Sequence, residues 1–325
     1  MLRVRRSVAV TFAVAVLGMP YALASGPGAR DARQQDRPLC AEPLLPCPAK
    51  PVPVERDTSA YDGLGTWVDA YDFAREFGYA RTRPSVVEDM AKQGVTTLYI
   101  QAAKDRDGVG DLVSPDLLGE FLERAHAHKM KVVAWYLPRF VDPNRDWRHV
   151  DAMLRFRSHG HAFDGIGLDI ESRENGNLQQ RNDRLVALSQ RTRQAAGAMA
   201  VSAIVVPPVV TDVMNPKFWP EFPWTRLKPS YDVWIPMGYW TNRKPDSEYR
   251  DAYRYTMENV RLLRENVEDE YATVHVAGGV GTKATSRDYE RFVKAAYDSS
   301  SVGLSCYDYA TTARSAWPIL RKGPA

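Results

Sequence analysis

Cysteine is scarce in this chain. Only three of 325 residues are cysteine, Cys40, Cys47 and Cys306, and the last sits in an apolar stretch with no histidine beside it, which reads as a buried thiol and not a nucleophile. Net charge is nearly absent: 43 basic residues face 40 acidic ones, and Arg3, Arg5 and Arg6 stand in an acid-free stretch of 24 residues that supplies the whole excess. Polyphosphate partners, nucleic acid first among them, are disfavoured for the remainder. No apolar run approaches the ~20 residues of a membrane span; the longest, Val8 to Leu17, is cut short by Gly18 and Pro20. Histidine paired with Asp or Glu is missing from the predicted strand ends, so no metal centre is expected. His126 and His128 are two apart and point to different helix faces, while His159 and His161 precede a strand. A glycine-rich phosphate turn is also missing after the first strand, where Asp72-Phe73-Ala74-Arg75 stands instead, and no nucleotide cofactor is expected.

With 44% hydrophobic and 26% charged residues, the chain can bury a large core. A basic start, the short apolar run and Ala22-Leu23-Ala24 predict a secretory signal over residues 1–24, cleaved before Ser25, and a secreted or cell-envelope protein with no membrane span in its mature form. Residues 25–60 read as a proline-rich arm in which Cys40 and Cys47 share a short loop and are expected to be oxidised together.

Over residues 61–325, β-rich runs alternate with helical patterns eight times. The expected strands are Thr66–Tyr71, Thr96–Ala102, Lys131–Leu137, Gly165–Glu171, Ala200–Val206, Asp232–Tyr239, Thr273–Gly278 and Gly303–Tyr309. Most are continuous apolar runs, as strands covered on both faces are. Between them, Ser114-Pro115 reads as a cap and first helical residue ahead of Leu117, Leu118, Phe121, Leu122 and Ala125. Further helices are marked by Leu178 to Leu188 with an end at Gly197, by Tyr253, Met257, Val260 and Leu263, and by Tyr289, Phe292, Val293, Ala296 and Tyr297. Eight β/α units in about 250 residues close a single (β/α)8 barrel, an α/β fold whose reacting groups gather at the C-terminal ends of the strands.

The fourth strand carries the chemistry. Side chains alternate along it, so Asp169 and Glu171 share one face while Leu168 and Ile170 turn to the helices. Two carboxyls on one face raise each other's pKa, and one of them can be held protonated as a general acid. Asp69 and Tyr71 at the first strand end, Gln101 at the second, and Trp135 and Tyr136 at the third add the aromatic faces and polar groups suited to a sugar.

The run Asp164-Gly165-Ile166-Gly167-Leu168-Asp169-Ile170-Glu171 resembles the D-G-x-D-x-D-x-E pattern of the family 18 glycoside hydrolases, the chitinase-like barrels, with Gly167 in place of the family's first inner aspartate. The resemblance implies that Glu171 is the proton donor and that Asp169 orients a substrate N-acetyl group, which attacks the anomeric carbon itself. Met237-Gly238-Tyr239-Trp240 is similar to the family's M-x-Y-D, which gives Tyr239 a hydrogen bond to the N-acetyl carbonyl and puts Trp240 where the family has aspartate. Tyr307 stands where the family carries the tryptophan that floors the sugar site, and the third strand lacks the family's S-x-G-G. The expected function is a secreted glycoside hydrolase acting on a glycan, which the resemblance implies to be N-acetylated. The alternative is a carbohydrate-binding barrel without catalysis.

Overall fold

The computed structural model describes residues 56–78 and 81–325. The expected signal, most of the arm, and the Cys40–Cys47 pair lie outside the described residues. Eight parallel strands form a closed barrel in which each pairs with its sequence neighbours and the last with the first. They are β1 Gly63–Val68, β2 Thr97–Gln101, β3 Lys131–Tyr136, β4 Gly165–Ile170, β5 Ala200–Val205, β6 Val233–Gly238, β7 His275–Gly279 and β8 Gly303–Tyr307. The helices are α1 Ala70–Phe73, α2 Val87–Lys92, α3 Pro115–Ala127, α4 Pro143–Arg155, α5 Leu178–Ala196, α6 Trp224–Leu227, α7 Ala252–Asn266, α8 Ser286–Asp298 and α9 Trp317–Leu320. Among the described residues, no helix is long and apolar enough to cross a membrane. Cys306 is a free, fully buried thiol.

Local chemistry moved some boundaries. β1 ends at Val68 and not at Tyr71, because the Asp69 carboxylate accepts from the backbone N–H groups of Tyr71 and Asp72 and turns the chain into α1. Pro115 opens α3 as expected, but Ser114 does not cap it: its hydroxyl donates to Glu76 at 2.5 Å and accepts from the Arg75 N–H at 2.9 Å. On α7 the buried face holds Tyr255 and Asn259 in place of Tyr253 and Met257. Asn259 is drawn inward because its Oδ1 accepts the Val209 N–H at 2.9 Å, and an apolar stripe cannot reveal a residue buried for its hydrogen bond.

The barrel interior is filled, not hollow. Trp67 stacks on Tyr99 with centroids 4.4 Å apart, meets Trp135 edge-on at 6.0 Å, and donates from Nε1 to Ser305 Oγ at 2.8 Å. The N-terminal end is plugged by Tyr61, whose hydroxyl donates to the Ile166 carbonyl at 3.0 Å while its own carbonyl faces His275 Nδ1 at 2.7 Å. Burial pushes His275 down to about 4, so it is a neutral core histidine. Arg56 and Asp57, counted with the arm by sequence, reach the barrel through an ion pair with Asp232 and a backbone bridge to Met199. On the same side, away from the strand C-termini, His126 meets His161 at 2.8 Å and Asp164 at 2.9 Å.

Candidate active site

β4 delivers two acids to the strand C-termini. Gly165, Gly167 and Asp169 alternate toward the interior, while Leu168 and Ile170 are wholly buried against the helices. Asp169 is only 7% exposed, and its Oδ1 has no hydrogen-bond partner among the described residues. Glu171, one residue beyond the strand, is open to solvent and accepts no hydrogen bond from the described residues, so a ligand can reach its carboxyl. Burial, and then the neighbouring charge of Glu171, hold the Asp169 carboxyl well above the usual range. The crowded wall around Glu171 raises its carboxyl too, and Lys104 opposes the rise at both positions. Two such carboxyls share one proton at pH values where isolated ones have lost theirs.

Tyr239 completes this cluster from the end of β6. Burial and the charges of Asp169, Glu171 and Asp308 keep its phenol protonated, and hence a hydrogen-bond donor. Its ring lies 5.8 Å from that of Tyr307, whose hydroxyl donates to Asp69 Oδ2 at 2.8 Å. Trp135 is buried beside Trp67 with its Nε1 unpartnered among the described residues, and Met237 is buried in register with Ala277. Gln101 is buried and structural: its Oε1 accepts the Ala70 N–H at 2.9 Å and holds the turn after β1. Tyr71 is 56% exposed beneath Lys104.

Two expected sugar contacts point the other way. Tyr136 is fully buried, donates to Asp146 Oδ1 at 2.7 Å and packs on His149 of α4. Trp240 is fully buried 4.8 Å from Phe292 of α8. Trp135 and Tyr136 are neighbours on β3, so only one of them can face inward, whereas Tyr239 and Trp240 lie beyond β6, where the chain enters a 3-10 turn over Trp240–Asn242. Trp240 also explains Gly278, where a Cβ would lie 2.3 Å from the indole. Gly167 is explained similarly, since a Cβ there would meet Ile204 Cδ1 at 2.8 Å and Ser202 Oγ at 3.0 Å. The space beside Gly167 is occupied by the Ile204 and Ser202 side chains.

Two residues of the mouth have little signal in the sequence: Lys104, whose only cue is its place three residues after β2, and Asp72. Barrel closure brings Asp69, Asp72 and Asp308 together with carboxylate oxygens within 4.8 Å of one another. Protein donors already serve Asp69, through two backbone N–H groups and Tyr307, and Asp308, through the Thr311 N–H. Burial first, then Asp69 and Asp308, push Asp72 up to about 7, so a proton balances this trio. A group whose folded pKa is raised contributes stability below its unfolded pKa and loses it as pH rises through the folded value. Asp72→Asn is therefore expected to leave thermal stability little changed below the usual aspartate pKa, near pH 3.5, and to raise it progressively above that, most of all above pH 8. Equal melting shifts at both pH values would contradict this charge balance.

No protein-family model matches the sequence, and no curated protein matches it. Solved structures share the fold. A family 18 chitinase from Cycas revoluta, solved with allosamidin, is 11% identical with a TM-score of 0.59 over 80% of this chain and 98% of its own. The spore cortex-lytic enzyme SleL of Bacillus megaterium is 10% identical with a TM-score of 0.58, covering 87% of this chain and 79% of its own. An endo-1,4-β-D-mannanase from Thermotoga petrophila, solved with maltose and glycerol, is 10% identical with a TM-score of 0.58, over 76% and 88%. The chain has the (β/α)8 barrel fold that these three enzymes share.

Proposed function

We propose that the protein is an exported glycoside hydrolase that cleaves an N-acetylated glycan, with Glu171 as general acid and Asp169 assisting. One observation carries the reading: the buried Asp169 carboxyl, its Oδ1 without a partner among the described residues, and the open Glu171 carboxyl stand together at the C-terminal end of β4, near enough to the Tyr239 phenol that their charges help to keep it protonated. Glu171 gives its proton to the leaving oxygen as the glycosidic bond breaks. An ordinary retaining mechanism needs a second carboxylate across the bond at about 5–5.5 Å. Asp69 is a poor candidate for it, because both its oxygens are engaged. The resemblance supplies another nucleophile, the substrate's N-acetyl oxygen, steered by Asp169 and by the Tyr239 hydroxyl. The fold neighbours support this class, since the chitinase was solved with allosamidin.

The competing reading, a binding barrel without turnover, is favoured by the filled space at Gly167, which leaves Asp169 Oδ1 with no partner among the described residues. Aryl glycosides with and without the N-acetyl group decide between them. Wild type is expected to release aglycone only from the N-acetylated series. Asp169→Asn removes the group that would steer the N-acetyl oxygen, so turnover on the N-acetylated series should fall about tenfold or more. Binding without cleavage of either series would establish the binding barrel.

A further inference from the structure

The loop after β2 reads Lys104-Asp105-Arg106-Asp107, and its charges separate in space. The acids turn toward α4: Asp105 pairs with Arg145 at 2.6 Å and Arg139 at 3.7 Å, and Asp107 with Arg145 at 3.2 Å. The cations turn to the opposite side, onto aromatic rings. Lys104 Nζ lies 4.5 Å from the centroid of Tyr71, and the Arg106 guanidinium 5.0 Å from that of Phe77. The two rings are themselves in edge contact at 4.9 Å. Among the described residues, neither cation has an ion-pair partner, although acids flank both in sequence. Lys104 is half-buried and acts on Asp169 and Glu171, which places this platform at the edge of the same mouth.

We propose that Lys104 and Arg106, carried on Tyr71 and Phe77, form a subsite for a carboxylate-bearing sugar unit next to the one held at Glu171. The ligand is then an acidic N-acetylated glycan. A neutral chito-oligomer would offer neither aromatic-backed cation an acidic partner of its own, although Lys104 also faces the acid pair. A carboxylate accepts charge-assisted hydrogen bonds from both cations and, one sugar away, avoids the acids of the mouth. The proposal rests on the glycan-binding reading of this mouth but not on turnover.

The test is calorimetric binding to the full chain carrying Glu171→Gln, which separates affinity from cleavage. The probes are chitotetraose, its O-carboxymethylated form, glycan strands alternating N-acetylglucosamine with a lactyl-ether sugar, and strands alternating it with glucuronate. The two alternating strands distinguish the sources of the carboxylate. At least one acidic probe is expected to bind about tenfold more tightly than chitotetraose, the scale for two partly exposed ion pairs. That preference should shrink toward unity near 1 M salt, where the Debye length is about 3 Å. Adding Lys104→Met with Arg106→Gln should abolish the preference, whereas Lys104→Arg should keep it. A preference that is absent, insensitive to salt, or retained in the double variant overturns the subsite. So does an equal loss of affinity for acidic and neutral probes, which would make Lys104 only a counter-charge for the acid pair. Acidic preference without hydrolysis by wild type would sink the enzyme reading alone.

Discussion

Replacing Glu171 by glutamine is expected to lower kcat on an N-acetylated glycoside by about 10²–10⁴-fold, the usual contribution of a positioned acid, while calorimetric affinity for the glycan holds. Glutamine keeps the length and the hydrogen-bonding edge of the side chain and removes only the transferable proton. Glu171 makes no hydrogen bond to the described residues, so the substitution breaks no structural contact there. It also removes a charge that destabilises the ionised form of Asp169, and the neighbouring carboxyl should titrate at lower pH in the variant. A pH titration of the variant followed by carboxyl NMR checks that second effect independently of any substrate. Unchanged turnover in a folded Glu171→Gln protein would remove Glu171 from the chemistry.

Restoring the family's aspartate, Gly167→Asp, is expected to destabilise the barrel by about 3 kcal/mol or more. Overpacking a filled interior costs about 1–3 kcal/mol, and a Cβ added at Gly167 would come within 2.8 Å of Ile204 and 3.0 Å of Ser202. Desolvating the new carboxyl costs more, unless it takes up a proton. For a chain of this size each kcal/mol lowers the melting temperature by roughly 2–4 °C, so a fall of about 10 °C is expected. Ile204→Ala, itself costly by about 2–5 kcal/mol as a buried truncation, opens the space the aspartate needs. The double variant should then lose less than the sum of the single losses. Strict additivity would show that Ile204 does not occupy the missing aspartate's place.

The sequence reads well where structure is local. Eight apolar runs with helical stripes between them imply the barrel, and observed strand ends fall within a few residues of expectation at seven strands. The exception is the first, where Asp69, taken as a strand end, bonds two backbone N–H groups and starts a helix. The spacing of Asp169 and Glu171 is equally local, because a strand repeats every two residues whatever surrounds it. Alternation also forbade Trp135 and Tyr136 from sharing a face. Which of the two turned inward became definite only with the register, and the orientation of Trp240 was set by the 3-10 turn that follows β6.

The count of β/α units and the two acids on one face of β4 belong to the sequence alone, since both follow from short-range periodicity and steric preference. What the tertiary structure decided lies between segments far apart in the chain. Closure sets β1 beside β8, and so joins Asp69 and Asp72 to Asp308 and raises Asp72. The register of β4 against β5 pairs Gly167 with Ser202 and lets Ile204 fill the space beside that glycine. The fold of the loop after β2 sends Asp105 to Arg145 and leaves Lys104 over Tyr71 at the mouth. Each outcome is a contact or a field between side chains that only a closed barrel brings within reach, and Coulomb energy and packing act across space without regard to sequence distance.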